Sequence, residues 1–266
     1  MESSPGMPGL KELNLFDSCV TLGRFTGPNC ISGAGELLEI MDRYCIAEAL
    51  VHDYHARVIY PIENGNRRLL ESIRGHTRLH AVWVVEPPLQ PGAEAAFKVV
   101  AEMLANGVRA ARIRPRAKGS LAWLWHDLLG ALEAHRLPCF LDFGTIETTL
   151  GEMSDVDLDA VRAMAVQHPG LPLILSHLMS GSGLHPAVPY LLRRVPNLYL
   201  DITGILEFWR TAAADIGPER ILFATGMPFT DPGILVSNVQ YALDLDGMAK
   251  RLICGGNLRR LLGGVQ

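Results

Sequence analysis

His177 closes the apolar run of Leu171–Gly181, LPLILSHLMSG, just before a small polar loop. An imidazole at such a junction can carry a proton or polarise a carbonyl. Several other apolar runs end on groups of comparable reach. Arg112 and Arg114 are separated by one residue in ARIRP, so on a strand they share a face. Two guanidiniums side by side form a fork for a carboxylate or phosphate. The alternative is that one of them pairs with Asp142 or Asp201, because a buried arginine needs a partner. Asp142 follows the apolar PCFL, where a carboxylate is costly unless a cation, a metal or backbone amides meet it. Asp201 ends NLYLD with Thr203 on its face, a place suited to orienting a neighbour.

Two further clusters are weaker. His52 and His55 form H-x-x-H, a zinc spacing on a helix, but on a strand the two rings face apart, and His52 is the better site candidate. Asp17, Cys19 and Thr21 share one strand face, where a cysteine near a histidine can serve as a nucleophile or a ligand. Taken singly, each also reads as an ordinary buried cysteine or hydrogen-bonded threonine. Trp123 and Trp125 read as helix-packing aromatics, and Arg116 and Lys118 as solvent-facing.

The elements that position these groups alternate along the chain. Strands are expected at 15–20, 47–52, 79–85, 108–114, 138–143, from 171, 197–203 and 220–225. Helical spacing falls between them at 35–44, 66–74, 93–105, 121–135, 155–167, 187–194 and 207–214, with mostly helix from 232 to 262 and a break at Gly255-Gly256. Eight strand-then-helix units predict a single-domain (β/α)8 TIM barrel of the α/β class over residues 13–266, with residues 1–12 a disordered lead-in. An open doubly wound sheet would carry a Gly-rich phosphate turn after an early strand, and no G-x-G-x-x-G stands there.

Composition narrows the partners. The 266 residues are 48% hydrophobic and 20% charged, with a net charge of −4, which favours neither nucleic acid nor an anionic membrane. Five scattered cysteines with no CxxC pair, and no signal-peptide pattern, point to a reduced, cytoplasmic protein. A homo-oligomer stays open.

The segments LFDSCVTLG, GVRAARIRP, LPCFLDFGT, LPLILSHL, VPNLYLDITG, IGPERILFATGMPF and GGNLRRLLG, in this order, resemble the amidohydrolase superfamily, in its compact amidohydrolase 2 branch. The resemblance spans about Leu15 to Leu262 and implies the barrel, with ligands bound at its C-terminal mouth. That branch includes metal-dependent decarboxylases of aromatic acids and lactonases. Its first strand normally carries a His-x-His metal pair, here Cys19 and Thr21. Its fifth strand normally ends in a ligand His, here Asp142. Its eighth normally ends in Gly-Ser-Asp-x-Pro, here Ala224-Thr225-Gly226-Met227-Pro228 without the carboxylate. His177 keeps the family histidine of the sixth strand.

Metal ligation thus falls to Cys19, Asp142 and His177, a set a zinc ion can use, and an absent metal weighs above it. The resemblance implies a hydrolase, decarboxylase or lactonase acting on a small organic acid or lactone, with His177 and Asp142 catalytic. Arg112, Arg114, Asp201 and His52 would bind the carboxylate-bearing substrate. Two other readings stand beside it. One is an inactive relative that binds a small acidic metabolite or a protein partner. The other makes Cys19 a nucleophile with His177 as its base.

Overall fold

The computed structural model describes residues 9–24, 30–58, 61–115, 121–144, 157–180, 183–184, 186–206 and 208–266. Arg116 and Lys118 lie outside these. The strands are β1 (Leu15–Leu22), β2 (Ile46–Asp53), β3 (Leu79–Ala81), β4 (Trp83–Val84), β5 (Ala111–Ile113), β6 (Cys139–Asp142), β7 (Leu173–Ser176), β8 (Met179–Ser180), β9 (Gly183–Leu184), β10 (Leu198–Asp201) and β11 (Ile221–Leu222). All pair in parallel except β8 and β9, which form a small antiparallel hairpin beyond β7.

The parallel strands run in two arcs, β1-β2-β3 and β4-β5-β6-β7-β10-β11. The third barrel strand, expected as one run, is β3 and β4 interrupted at Val82. Continuity survives there, because Val82 N donates to Val51 O at 2.9 Å and Trp83 N to Ala110 O at 3.2 Å. At the other seam Ser18 N donates to Phe223 O at 3.0 Å and Thr21 N to Met227 O at 2.9 Å. The chain is therefore the expected (β/α)8 barrel, with helices packed around a closed ring of parallel strands.

Side-chain alternation sorts the interior into layers. Phe16, Leu50, Val82, Ala110, Phe140, Ile174 and Leu222 form one apolar cluster, which Leu258 and Leu261 of the C-terminal helix help to build. Two residues further along the same strands stand His52, Arg112, Asp142 and Ser176, all buried. The barrel thus carries an apolar layer near the strand starts and a polar one near the strand ends. Outward-facing strand residues meet the helices in a second cluster, which includes Leu37, Met41, Val100, Met103, Leu128 and Met164.

Local chemistry sets the helix ends. Asp157 and Asp231 cap the helices Leu158–Gln167 and Pro232–Gln240, accepting from Ala160 N at 2.8 Å and Gly233 N at 2.7 Å. Gly107, with φ 72°, ends the helix Ala93–Ala105 in the left-handed region.

Three expectations are corrected. Residues 10–12, placed in the lead-in, belong to a helical turn Leu10–Leu13 whose Leu13 is buried. Trp123 is 71% exposed while Trp125 is buried, because two residues on a helix are about 200° apart. A short helix, Tyr54–Val58, follows β2 where none was expected, and the next helix starts at Ile62 rather than Asn66. Among the described residues no helix is long and apolar enough to cross a membrane.

Candidate active site

The polar layer centres on Asp142, the last residue of β6 and wholly buried. Its Oδ1 accepts from Gly144 N at 2.9 Å and Arg57 Nη2 at 3.2 Å, and lies 3.1 Å from His177 Nδ1. Its Oδ2 lies 2.9 Å from Arg57 Nε and 3.2 Å from Arg112 Nη1. Burial alone would raise this carboxyl, but Arg57, His177 and Arg112 outweigh it and hold it well below the usual range.

Each of these cations arrives by a different route. Arg112 stands on the inward face of β5, 0% exposed, with its guanidinium 5.1 Å from the centre of the Phe140 ring. Nη1 also reaches Ser176 Oγ at 3.4 Å, while Nε and Nη2 are buried with no partner among the described residues. Arg57 comes from the helix Tyr54–Val58. Asp53 caps that helix, accepting from His55 N at 2.7 Å and Ala56 N at 3.0 Å, and Arg68 Nη2 secures Asp53 at 2.8 Å. Gly65 lets the next helix close on this one, since a Cβ there would fall 2.5 Å from Ala56 N.

His177 follows Ser176, the inward residue at the end of β7. Simple alternation would turn its ring out of the barrel. Its φ of 59° lies in the left-handed region and swings the imidazole back onto Asp142. Burial works against its proton, but Asp142, together with a hydrogen bond to Cys19, lifts the imidazole to about 9. The side chain keeps 17% exposure, so it reaches the mouth.

The remaining residues take defined places. Arg114 Nη1 donates to the carbonyl of Arg57, so Arg112 and Arg114 each hold a separate partner instead of forming an open fork. His52 Nε2 meets Thr21 Oγ1 at 2.9 Å, and its Nδ1 is buried without a partner among the described residues. Burial and the charges of Arg112 and Arg57 keep His52 well below its ordinary value, so it is neutral. Asp201 Oδ1 accepts from Thr203 N at 3.1 Å, leaving Oδ2 buried and unpartnered among the described residues. His55 sits on the short helix, half-buried, and is not part of the cluster.

Sequence reasoning missed Arg57, and it placed Asp17 on a face with Cys19 and Thr21 without finding its partner Thr225. Asp17 Oδ1 accepts from Cys19 N and Thr225 N, both at 3.0 Å, and Oδ2 from Thr225 Oγ1. It ties the first barrel strand to the last, and burial pushes its carboxyl up to about 7.

The strand-end cluster and the closed parallel ring define a (β/α)8 barrel with a cationic mouth. Residues 48–264 match the amidohydrolase family (Amidohydro_2), and the chain belongs to it. Among solved structures, the 5-carboxyvanillate decarboxylase from Sphingomonas paucimobilis superposes with a TM-score of 0.74 at 15% identity, over 96% of this chain and 100% of that one. A dihydroxybenzoic acid decarboxylase from Polaromonas sp. JS666, holding manganese and an inhibitor, gives 0.70 at 14%, over 94% and 97%. A proposed 2-pyrone-4,6-dicarboxylic acid hydrolase from Pseudomonas putida gives 0.68 at 18%, over 95% and 98%. At these identities the likeness is one of fold. No curated protein sequence matches the chain.

A divalent cation does not fit the described residues. Both oxygens of Asp142 face cationic groups, and a metal ion would add a further positive charge among Arg57, Arg112 and His177. Asp142 Oδ1 and His177 Nδ1, two of the three candidate zinc ligands, already hold each other at 3.1 Å. Among the described residues no group of three or more His, Cys, Asp or Glu side chains is spaced to share an ion.

Proposed function

We propose that this amidohydrolase-family barrel is a metal-independent hydrolase of a small lactone or ester that carries a carboxylate. The observation that carries the reading is the crowd of cations on one carboxylate. Arg57, Arg112 and His177 surround Asp142, and Arg112 still has two buried donors, Nε and Nη2, with no partner among the described residues. Buried donors of this kind are costly unless an acceptor meets them. A carboxylate is the acceptor whose charge and planar shape fit a guanidinium edge. Proteins of the same fold are named as a 5-carboxyvanillate decarboxylase and a proposed 2-pyrone-4,6-dicarboxylic acid hydrolase, which supports this substrate class.

In this reading Arg112 holds the substrate carboxylate, with Arg57 adding charge and Arg114 fixing Arg57. Water attacks the acyl carbon and the acyl C–O bond breaks; His177 gives its proton to the leaving oxygen and recovers the proton that the water sheds. Asp142 keeps the ring oriented and protonated. Asp201 Oδ2 and His52 Nδ1 are two further buried atoms able to bond a substrate hydroxyl or carbonyl. The test is a panel of five- and six-membered lactones and aryl esters, each with and without a carboxylate, assayed in chelator. Turnover confined to the carboxylate-bearing members is expected. Turnover of neutral members alone, or only with added metal, would overturn the reading.

A second reading is a non-catalytic relative that binds a small acid. Gly226, standing where the family pattern has a carboxylate, favours it, because that base for activating water is gone. Saturable binding of a small dicarboxylate with no turnover across the panel would select it.

A further inference from the structure

The face of the barrel opposite the mouth holds a cavity of about 360 Å³. Phe16 and Leu50, both in the apolar layer near the strand starts, line its inner end. Leu70 of the helix Ile62–Ile73 and Leu262 of the C-terminal helix Asn257–Gly263 line its sides. Glu48, also in the lining, shares the inward face of β2 with Leu50 and His52, and the four residues of strand from Glu48 to His52 span about 13 Å. The cavity is therefore separate from the mouth. Its size falls within the range of small-ligand pockets, which are built as this one is, mostly of apolar side chains with a few polar groups.

The polar groups of the lining divide into a closed set and an open one. Glu48 Oε1 accepts from Arg259 Nε at 2.9 Å, and Glu48 Oε2 meets His80 Nε2 at 2.8 Å. Arg259 Nη1 donates to Asn14 O at 3.0 Å, and the guanidinium lies 5.2 Å from the centre of the Phe16 ring. Arg109 stands apart from this set. Its Nη2 donates to the carbonyl of Val265 at 3.0 Å, and among the described residues no carboxylate pairs with it. The residue is exposed, so its other N–H groups are open to whatever enters the cavity. With Glu48 already matched by Arg259, the walls carry an excess of positive charge.

We propose that this cavity is a second ligand site, which takes a small organic molecule with an apolar, ring-sized body and one carboxylate. The body lies against Leu50, Leu70 and Leu262, and the carboxylate takes the open edge of the Arg109 guanidinium. A cation does not suit the cavity, because Arg109 faces it and the one carboxylate in the lining is held by Arg259 and His80. A second carboxylate on the ligand would find no free guanidinium, because Arg259 is spent on Glu48. The site stands independently of the hydrolase reading, since none of its lining residues belongs to the mouth. A bound ligand would join the helix Ile62–Ile73 and the strands β2 and β3 to the C-terminal helix, and would stabilise the folded chain accordingly.

The probe is 4-benzoylbenzoate, whose ketone inserts into nearby C–H bonds under ultraviolet light. The full-length protein is irradiated with it and peptide-mapped. Adducts on segments 70–81 and 258–263, suppressed by excess benzoate, support the proposal. Arg109→Ala then lowers their yield about tenfold at limiting probe, the worth of one charge-assisted hydrogen bond, while Arg109→Lys keeps most of it. The methyl ester of the probe, which lacks the charge, labels these segments as poorly as the acid labels Arg109→Ala. The adducts are located on the wild-type chain, so poor folding of a variant does not decide the matter. Adducts confined to the mouth, on segments 52–57 or 139–144, overturn the second site and leave the carboxylate reading of the mouth intact. Equal labelling by acid and methyl ester overturns the ligand class. No adduct at all overturns the proposal. So does a chain that sediments as a dimer and becomes monomeric in Leu262→Arg, because the cavity then belongs to a second copy.

Discussion

Asp142 Oδ1 lies 3.1 Å from His177 Nδ1, although strand register pairs Asp142 with Ser176 and not with His177. The left-handed turn at His177 makes the contact, and it joins two strand ends into one proton-holding unit. Removing the carboxylate tests how much of the mouth depends on it. Asp142→Asn leaves Arg57 and Arg112 buried without their anion, a change that costs roughly 3–5 kcal/mol. Urea unfolding should show a lower midpoint with the slope unchanged. A loss below about 1 kcal/mol, the value of an exposed pair, would show that the cations have other partners.

The same contact sets a pH dependence. His177 is lifted from an ordinary 6.5 to about 9, so its contribution to stability is full below about 6.5 and is lost as pH rises through 9. A step that uses the imidazolium as acid fades over the same upper limb. The kcat/KM profile of wild type should fall near pH 9, and in Asp142→Asn that limb should move toward neutrality. An unmoved limb would assign the ionisation to another group.

Asp17 also holds its proton above its ordinary value, here because of burial. Its carboxyl rises from 3.8 to about 7, so between those values the folded chain holds a proton that the unfolded chain has released. Stability should therefore decline as pH climbs through that window. Asp17→Asn should flatten the decline in a thermal-melt series; a slope equal to wild type would contradict the assignment.

Gly144 is a steric gate on the cluster. A Cβ there would sit 2.3 Å from Arg57 Nη2, 3.1 Å from Asp142 Oδ1 and 3.1 Å from His177 Cγ. Gly144→Ala must displace at least one of them, and a shift near 1 Å in such a site can cost on the order of 100-fold in rate. The expected result is a fall in kcat with the fold retained by circular dichroism. Wild-type kcat would mean that the cluster can shift without consequence.

Arg114 acts through Arg57, whose carbonyl its Nη1 holds. Arg114→Ala should raise KM for carboxylate-bearing substrates about tenfold while leaving neutral esters unaffected, the pattern of lost ground-state binding. Equal effects on both would point to a general loss of structure.

Much of this was legible in the chain. Alternating strand and helix signals gave the barrel, and the isolated Asp142 at the end of an apolar strand announced a buried charge that needed a partner. Arg112 as that partner follows from side-chain alternation, since Ala110 and Phe140 lie inward two residues before Arg112 and Asp142. Arg57 was hidden because its helix is a single short turn without apolar periodicity. The cue that could have found it is Asp53, whose carboxylate caps a helix start. The return of His177 toward Asp142 was not readable either, because a left-handed backbone at a histidine leaves no mark in the pattern. The hold of Arg114 on Arg57 likewise depends on how the mouth closes over the barrel.

The central claim is that guanidinium and imidazolium charge, and not a metal ion, serve this mouth. The direct measurement is kcat/KM for a carboxylate-bearing lactone or aryl ester on protein stripped by chelator, with metal content read by elemental mass spectrometry, before and after addition of zinc or manganese. The account predicts turnover that is unchanged within twofold by stripping or by either ion. Activity that vanishes on stripping and returns with a stoichiometric ion would contradict it.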